Sequence, residues 1–276
     1  MQIVAAINKA LTELFGLLLS PFAALPPIWP LLVISVLSGV LMLWIFGKVS
    51  NQPAIKRHKD RMQGFIIGIR VYRDDLRQLF LFQGKILGHL VIYLKHAVVP
   101  LLIILVPVIP ILAQLNLHFA ARPLPAGEPT ILTAKVRDAA SLADGFSLES
   151  TDTVEVQTVA VHAPSLREVS WRIRPLSDGI HVIRIQTPDG PIEKQIIAGD
   201  GWGAISSRRT GQGAWHSLLY PGETPLSGGD AIQSIVVRHP DLDFRLLGWS
   251  MHWMVVFILV SVLAGYAFRN ALGVQI

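Results

Sequence analysis

Three stretches of about twenty residues without a charge decide what this chain can be. They are Ile28 to Gly47 (IWPLLVISVLSGVLMLWIFG), Val98 to Leu117 (VVPLLIILVPVIPILAQLNL) and Leu246 to Phe268 (LLGWSMHWMVVFILVSVLAGYAF). The hydrocarbon core of a bilayer is roughly 30 Å thick and a helix rises about 1.5 Å per residue, so each stretch is long enough to cross it. Buried helices of soluble proteins rarely run so long without a charge, and three in one chain favour lipid as the solvent. Charged residues make up only 16% of the chain, against about 25% in soluble domains. Trp29, Trp44, Trp249 and Trp253 fall near the span ends, where amphipathic rings settle at headgroup level. Pro100, Pro107 and Pro110 remove amide donors from the second span. That span is expected to pack against the others, around a polar cavity.

The charges sort by segment. Residues 48–97, between the first two spans, hold ten cations: Lys48, Lys56, Arg57, Lys59, Arg61, Arg70, Arg73, Arg77, Lys85 and Lys95. Only Asp60, Asp74 and Asp75 oppose them. The positive-inside rule places this short loop in the cytoplasm. The N-terminus and residues 120–245 are then outside, and the tail 269–276 is cytoplasmic. The formal net charge of +5 is thus a topology signal, not a DNA-binding one. Residues 1–25 lack the basic start of a signal peptide. Ile3, Ile7, Leu11, Leu14, Phe15 and Leu18 share one helical face, which reads as an amphipathic helix in the outer interface. A cleaved signal peptide is the competing reading.

Within 48–97 the apolar spacing predicts two helices, about Ala54 to Phe82 and Lys85 to His96, with a break near Gln83-Gly84. Each carries a small-xxx-small pair, Gly64/Gly68 and Gly84/Gly88, which lets helices approach closely. Lys56, Arg57, Lys59, Arg61, Arg70, Arg73 and Arg77 form a basic patch. Retention of topology and contact with anionic lipid account for it; contact with ribosomal RNA is the sharper alternative.

From Thr130 the period changes to two. Ile131 to Arg137, Val154 to Val161, Val169 to Ile173, Ile180 to Ile185 and Ile192 to Ile197 read as strands, with Ser234 to His239 as a later one. Ser177-Asp178-Gly179 and Pro188-Asp189-Gly190 are turn signals. Short strands at this spacing predict an extracytoplasmic, all-β, immunoglobulin-like sandwich over 120–245, with Trp171 in its core. The fold class is therefore a membrane α-helical part plus a β-sandwich.

Nothing in the residues indicates an enzyme. There is no cysteine. The nine histidines are scattered without metal-ligand spacing. Gly199-Asp200-Gly201-Trp202-Gly203 lacks the lysine of a phosphate loop and reads as a turn. No catalytic residue, metal or cofactor is expected.

An outside N-terminus, an interfacial helix, a span, a basic helical hairpin and two further spans form a recognisable order. Met62 to Ile104 carries it, above all MQGFIIGIRVYRDDLRQLFLFQGKIL, with the proline-rich second span and Phe268-Arg269 … Gly273-Val274. The arrangement resembles the YidC/Oxa insertase superfamily, nearest its three-span members: the archaeal YidC-like proteins and the third subunit of the ER membrane protein complex. Many members carry an arginine in the first span; here Ser35 and Ser38 are its polar residues. The β-domain lies between the second and third spans, whereas that of bacterial YidC precedes its core. The resemblance implies an insertase or assembly factor of protein transport, with chaperone character, in the bacterial inner (plasma) membrane. A polar groove would ease transfer of substrate helices into the bilayer. The groove candidates are Ser35, Ser38, Gln114, Asn116, Ser250 and Ser261. Implied partners are membrane lipids, nascent membrane proteins and the ribosome. The alternative is an envelope scaffold or receptor that binds an outer-face protein partner through its β-domain.

Overall fold

The computed structural model describes residues 2–137, 145–246 and 248–274. Met1, residues 138–144 of the expected outer domain, Leu247 of the third expected span and the last two tail residues lie outside the described set. The helices are α1 (Gln2–Leu19), α2 (Ile28–Val49), α3 (Gln52–Val71), α4 (Leu76–Phe119), α5 (Ala214–Leu219) and α6 (Trp253–Phe268). The strands are β1 (Thr130–Val136), β2 (Ser147–Leu148), β3 (Val154–Val156), β4 (Val161–Ala163), β5 (Glu168–Pro175), β6 (Gly179–Thr187), β7 (Gly190–Ala198), β8 (Arg208–Thr210), β9 (Ile232–Val237), β10 (Phe244–Leu246) and β11 (Trp249–Met251). The chain divides into two compact units: Met1–Leu31 with Ile109–Val255, and Leu32–Val108 with Val256–Ile276.

In the first unit two antiparallel sheets share one apolar core. The larger runs β3-β5-β1-β9-β8 with β4 also on β5, and the smaller runs β2-β6-β7. Alternation decides what points inward. Leu132, Ala134 and Val136 of β1 meet Val169, Trp171 and Ile173 of β5 and Ile183, Ile185, Ile192 and Ile196 of β6 and β7 in that core. The expected Val154–Val161 strand is two strands, β3 and β4, parted by residues 157–160. β6 and β7 are joined by Pro188 and Asp189, with Thr187 opposite Gly190 at φ +119°. A side chain is strained at that φ, so glycine suits the position.

The N-terminal helix α1 packs by a mixed face, with Asn8, Phe15 and Leu19 buried and Lys9 and Glu13 exposed. Asn8 donates to the Ser217 carbonyl, and Thr12 accepts from Gln114 Nε2 at 2.8 Å. Phe15 turns inward, away from the expected apolar face, and stacks on His118. Ile7, Leu14, Leu17 and Leu18 are left exposed.

The second unit holds the α3–α4 hairpin and most of α2 and α6. Its turn is at Tyr72–Asp75, not at Gln83-Gly84, which lie inside α4. Asp75 caps α4 by accepting from the Gln78 amide at 3.2 Å. α4 continues through Pro100, Pro107 and Pro110 as one helix of 44 residues. α2 and α4 are each long and apolar enough to cross a membrane. The third expected span is shorter than its sequence suggests: α6 has 16 residues, because Leu246 pairs with Trp249 in the β10–β11 hairpin.

Candidate functional site

The apolar helices leave many of their large side chains exposed. On α2 the buried positions include Leu31, Ile34, Ser35, Ser38, Gly39 and Leu43, whereas Val33, Val36, Leu37, Leu41 and Trp44 are exposed. On α6, Ser261 and Ala264 are buried; Ile258, Leu259, Val262 and Leu263 are exposed. Only 39% of the most apolar window of α2 and 22% of that of α4 is buried. α2 and α6 also bury large side chains, Leu31, Ile34, Leu43, Trp253, Val256 and Phe257, but a core helix of a soluble protein would not leave so many other large aliphatic residues exposed.

Gly39 and Ser261 mark a close helix crossing. A Cβ added at Gly39 would stand 2.2 Å from the Ser261 carbonyl oxygen, and one at Gly265 would stand 3.6 Å from the Gly39 oxygen. Ser261 Oγ donates to its own helix, to the Ile258 carbonyl at 3.1 Å. Beside the crossing lies a recess of about 290 Å³, lined by Gly39, Met42, Leu43, Phe46, Ile104, Ser261, Val262, Gly265 and Tyr266. Its walls are almost wholly apolar.

The six groove candidates are divided between the two units, Ser35, Ser38 and Ser261 in one and Gln114, Asn116 and Ser250 in the other. Ser35, Ser38 and Ser261 are buried among apolar helices. Gln114 ties α4 to α1. Asn116 borders a different recess, of about 360 Å³, with Tyr220, Arg208, Arg238 and His239. Ser250 is exposed on β11.

Lys56, Arg57, Arg61, Arg70, Arg73 and Arg77 are exposed along the hairpin, and Lys59 is half-buried. Large apolar side chains share its surface: Ile66, Ile67, Val71, Leu76, Phe80, Leu87 and Val91 are all exposed. Between the two helices runs a stack of rings. Tyr72 meets Phe82, Phe82 meets Phe65, Phe65 meets His89, and His58 meets both His89 and His96. His58 and His89 face each other with their Nδ1 atoms 2.9 Å apart. Desolvation, then His89, Arg61, His96 and Arg57, holds His58 below the ordinary imidazole value. Sequence spacing hides this cluster because it forms across the turn: His58 lies 15 residues before Arg73 and His89 lies 15 after Asp74. Among the described residues no group of three or more His, Cys, Asp or Glu is placed to hold a metal ion.

Three further features of the β unit escape sequence reasoning. Lys194 is fully buried and donates to the carbonyls of Gln195 and Ser206 and to Glu223. Burial pushes its ammonium below the ordinary value, against the pull of the Glu223 carboxylate. All three of its protons have acceptors, so it fastens residues 206–223 to β7. His239 donates from Nδ1 to the Val237 carbonyl at 3.1 Å, and burial pushes its pKa down to about 4. Trp202, in the glycine-rich turn, stacks on Phe119 and donates to the Leu25 carbonyl at 3.0 Å.

No family model matches the chain, and neither a curated protein nor a solved structure is significantly similar to it.

Proposed function

We propose that this chain is an integral membrane protein of YidC/Oxa type that helps substrate helices enter the bilayer. The β-unit is read as an immunoglobulin-like sandwich on the outer face, and the basic hairpin as cytoplasmic. The exposed aliphatic faces of α1, α2, α4 and α6 support lipid as their solvent.

One observation carries the insertase reading: α6 is short. Sixteen residues span about 24 Å, less than the roughly 30 Å of a hydrocarbon core. A short span thins the bilayer around it. A thinner slab lowers the barrier for a substrate's polar flank, where a central charge costs about 2.5–3.5 kcal/mol on insertion scales. In this reading catalysis rests on local thinning beside the apolar recess, not on a row of serines. The recess, of about 290 Å³ and open along the helices, takes an aliphatic side chain of the entering helix. The hairpin meets the segment first: its exposed Ile67, Phe80 and Val91 offer apolar contact, while the cations hold it at anionic headgroups.

Depleting the protein and following newly made membrane proteins tests the reading. Small proteins with a charged translocated flank are expected to accumulate uninserted. A variant with four leucines added after Leu263, which brings α6 to full span length, is expected to rescue poorly. Unchanged insertion of every small substrate on depletion would overturn the proposal.

A further inference from the structure

The outward face of the larger sheet carries a polar cleft. β5, β1, β9 and β8 lie side by side, and their register sets two cross-strand rows on that face. One row is Glu168, Lys135, Ser234 and Thr210. The next is Ser170, Thr133, Val236 and Arg208. The opposite face of β1 is Leu132, Ala134 and Val136, all fully buried, so strand alternation fixes which side chains reach the cleft. Residues Gly211, Gln212 and His216 close one side and leave a volume of about 320 Å³.

Its charge is one-sided. Lys135, Arg137 and Arg208 line it, against the single carboxylate of Glu168. Among the described residues no carboxylate stands within ion-pair distance of these three cations. Arg137 Nε donates to the Asp230 carbonyl at 3.2 Å, and Arg208 reaches the Tyr220 hydroxyl at 3.4 Å. The half-buried Lys135 ammonium has neither an ion pair nor a hydrogen bond among the described residues. A concave site with an excess of one sign of charge raises the local concentration of the opposite ion. The hydroxyls of Thr210 and Ser234 and the amide of Gln212 supply neutral donors and acceptors beside the cations. Glu168 repels a bare dianion at its end of the cleft but accepts hydrogen bonds from ligand hydroxyls.

We propose that this cleft binds an anionic sugar unit, its phosphate or carboxylate held by Lys135 and Arg208 and its hydroxyls by Ser234, Thr210 and Glu168. Its volume lies at the lower end of the roughly 300–1,000 Å³ range of ligand pockets, which suits one monosaccharide ring. Arg208 also borders the neighbouring recess of about 360 Å³, so a second sugar unit has room beyond it. The site stands apart from the insertase reading and does not depend on it.

Calorimetry on the full chain in phosphatidylcholine nanodiscs tests the inference, with glucose 6-phosphate, glucuronate and glucose as probes. At least one of the two anions is expected to bind, and more weakly as salt rises. Tighter binding of glucose 6-phosphate identifies the phosphate sugar as the ligand class; tighter binding of glucuronate identifies the sugar acid. Glucose is expected to bind at least about tenfold more weakly, as are the anions to Lys135→Gln and to Arg208→Gln, since each loses a charge-assisted hydrogen bond. Arg184→Gln, whose side chain pairs with Glu193 on the other sheet, is expected to leave binding unchanged. Absence of binding by both anions, equal binding of glucose, or undiminished binding in both cleft variants would each overturn the inference.

Discussion

Lys194 and Glu223 form the one ion pair among the described residues in which both side chains are buried, 0% and 7% exposed. Its energetic sense lies in what either loss would leave behind. An ammonium without its carboxylate stays buried between two carbonyls, and desolvation is then uncompensated. Glu223→Ala is therefore expected to destabilise the β-unit by about 3–5 kcal/mol. Urea unfolding of the detergent-solubilised chain would report it as a lower midpoint, with early loss of amide protection in β7 and residues 206–223. An unchanged midpoint would mean that water or another group replaces the carboxylate. Composition could not reveal this pair. Lys194 alternates with Glu193 and Gln195, and a lysine in a strand normally faces solvent; only the chain that returns at Glu223 makes it a core residue.

At the scale of elements, α2 and α6 are held by closeness. Gly39 leaves no room for a methyl group, because its Cβ would meet backbone at 2.2 Å, whereas at Gly265 the same addition makes ordinary contact at 3.6 Å. Gly39→Ala is expected to force the helices apart and lower the thermal midpoint in detergent by several degrees, a cost of about 1–3 kcal/mol. Gly265→Ala is expected to change it little. Equal effects would show that the crossing is not set by backbone contact. The same elements mark where sequence reading worked. Period-two alternation exposed β1, β5, β6, β7 and β9, because each has one wet and one dry face. It missed the start of α6, since hydropathy stays high through Leu246, Trp249 and Met251 while Gly248, at φ +86°, turns the chain into a hairpin. It misplaced the α3–α4 turn for a related reason: apolar spacing persists across Tyr72–Asp75, and the interruption is made by the Asp75 cap. The groove candidates are polar residues in apolar runs. Polar residues in apolar helices also serve close packing, as Ser261 does beside Gly39; Ser35 and Ser38 are buried on α2.

For the molecule as a whole, the decisive quantity is the distribution of charge along the chain. Residues 48–97 carry ten cations and three carboxylates, a formal +7; residues 120–245 carry twelve and fifteen, a formal −3. Moving a run of cations outward across an energised bilayer is opposed by the membrane potential, at about 2.3 kcal/mol per charge per 100 mV. The proposed orientation follows, with the hairpin inside and the β-unit outside. Trypsin can read it, because targets on both segments are exposed. Arg57 and Arg61 are open on α3, and Arg167 stands exposed on the β4–β5 turn at φ +56°. Trypsin added to intact spheroplasts is expected to cut at Arg167 and spare Arg57 and Arg61; inverted vesicles are expected to give the reverse. Because a two-span chain, with α6 at the surface, would keep both segments where they are, a tag on the C-terminus is needed as well. It is expected to be degraded only in inverted vesicles. Degradation from the outside would mean that α6 returns without crossing, and the thinning mechanism would lose the short span on which it rests.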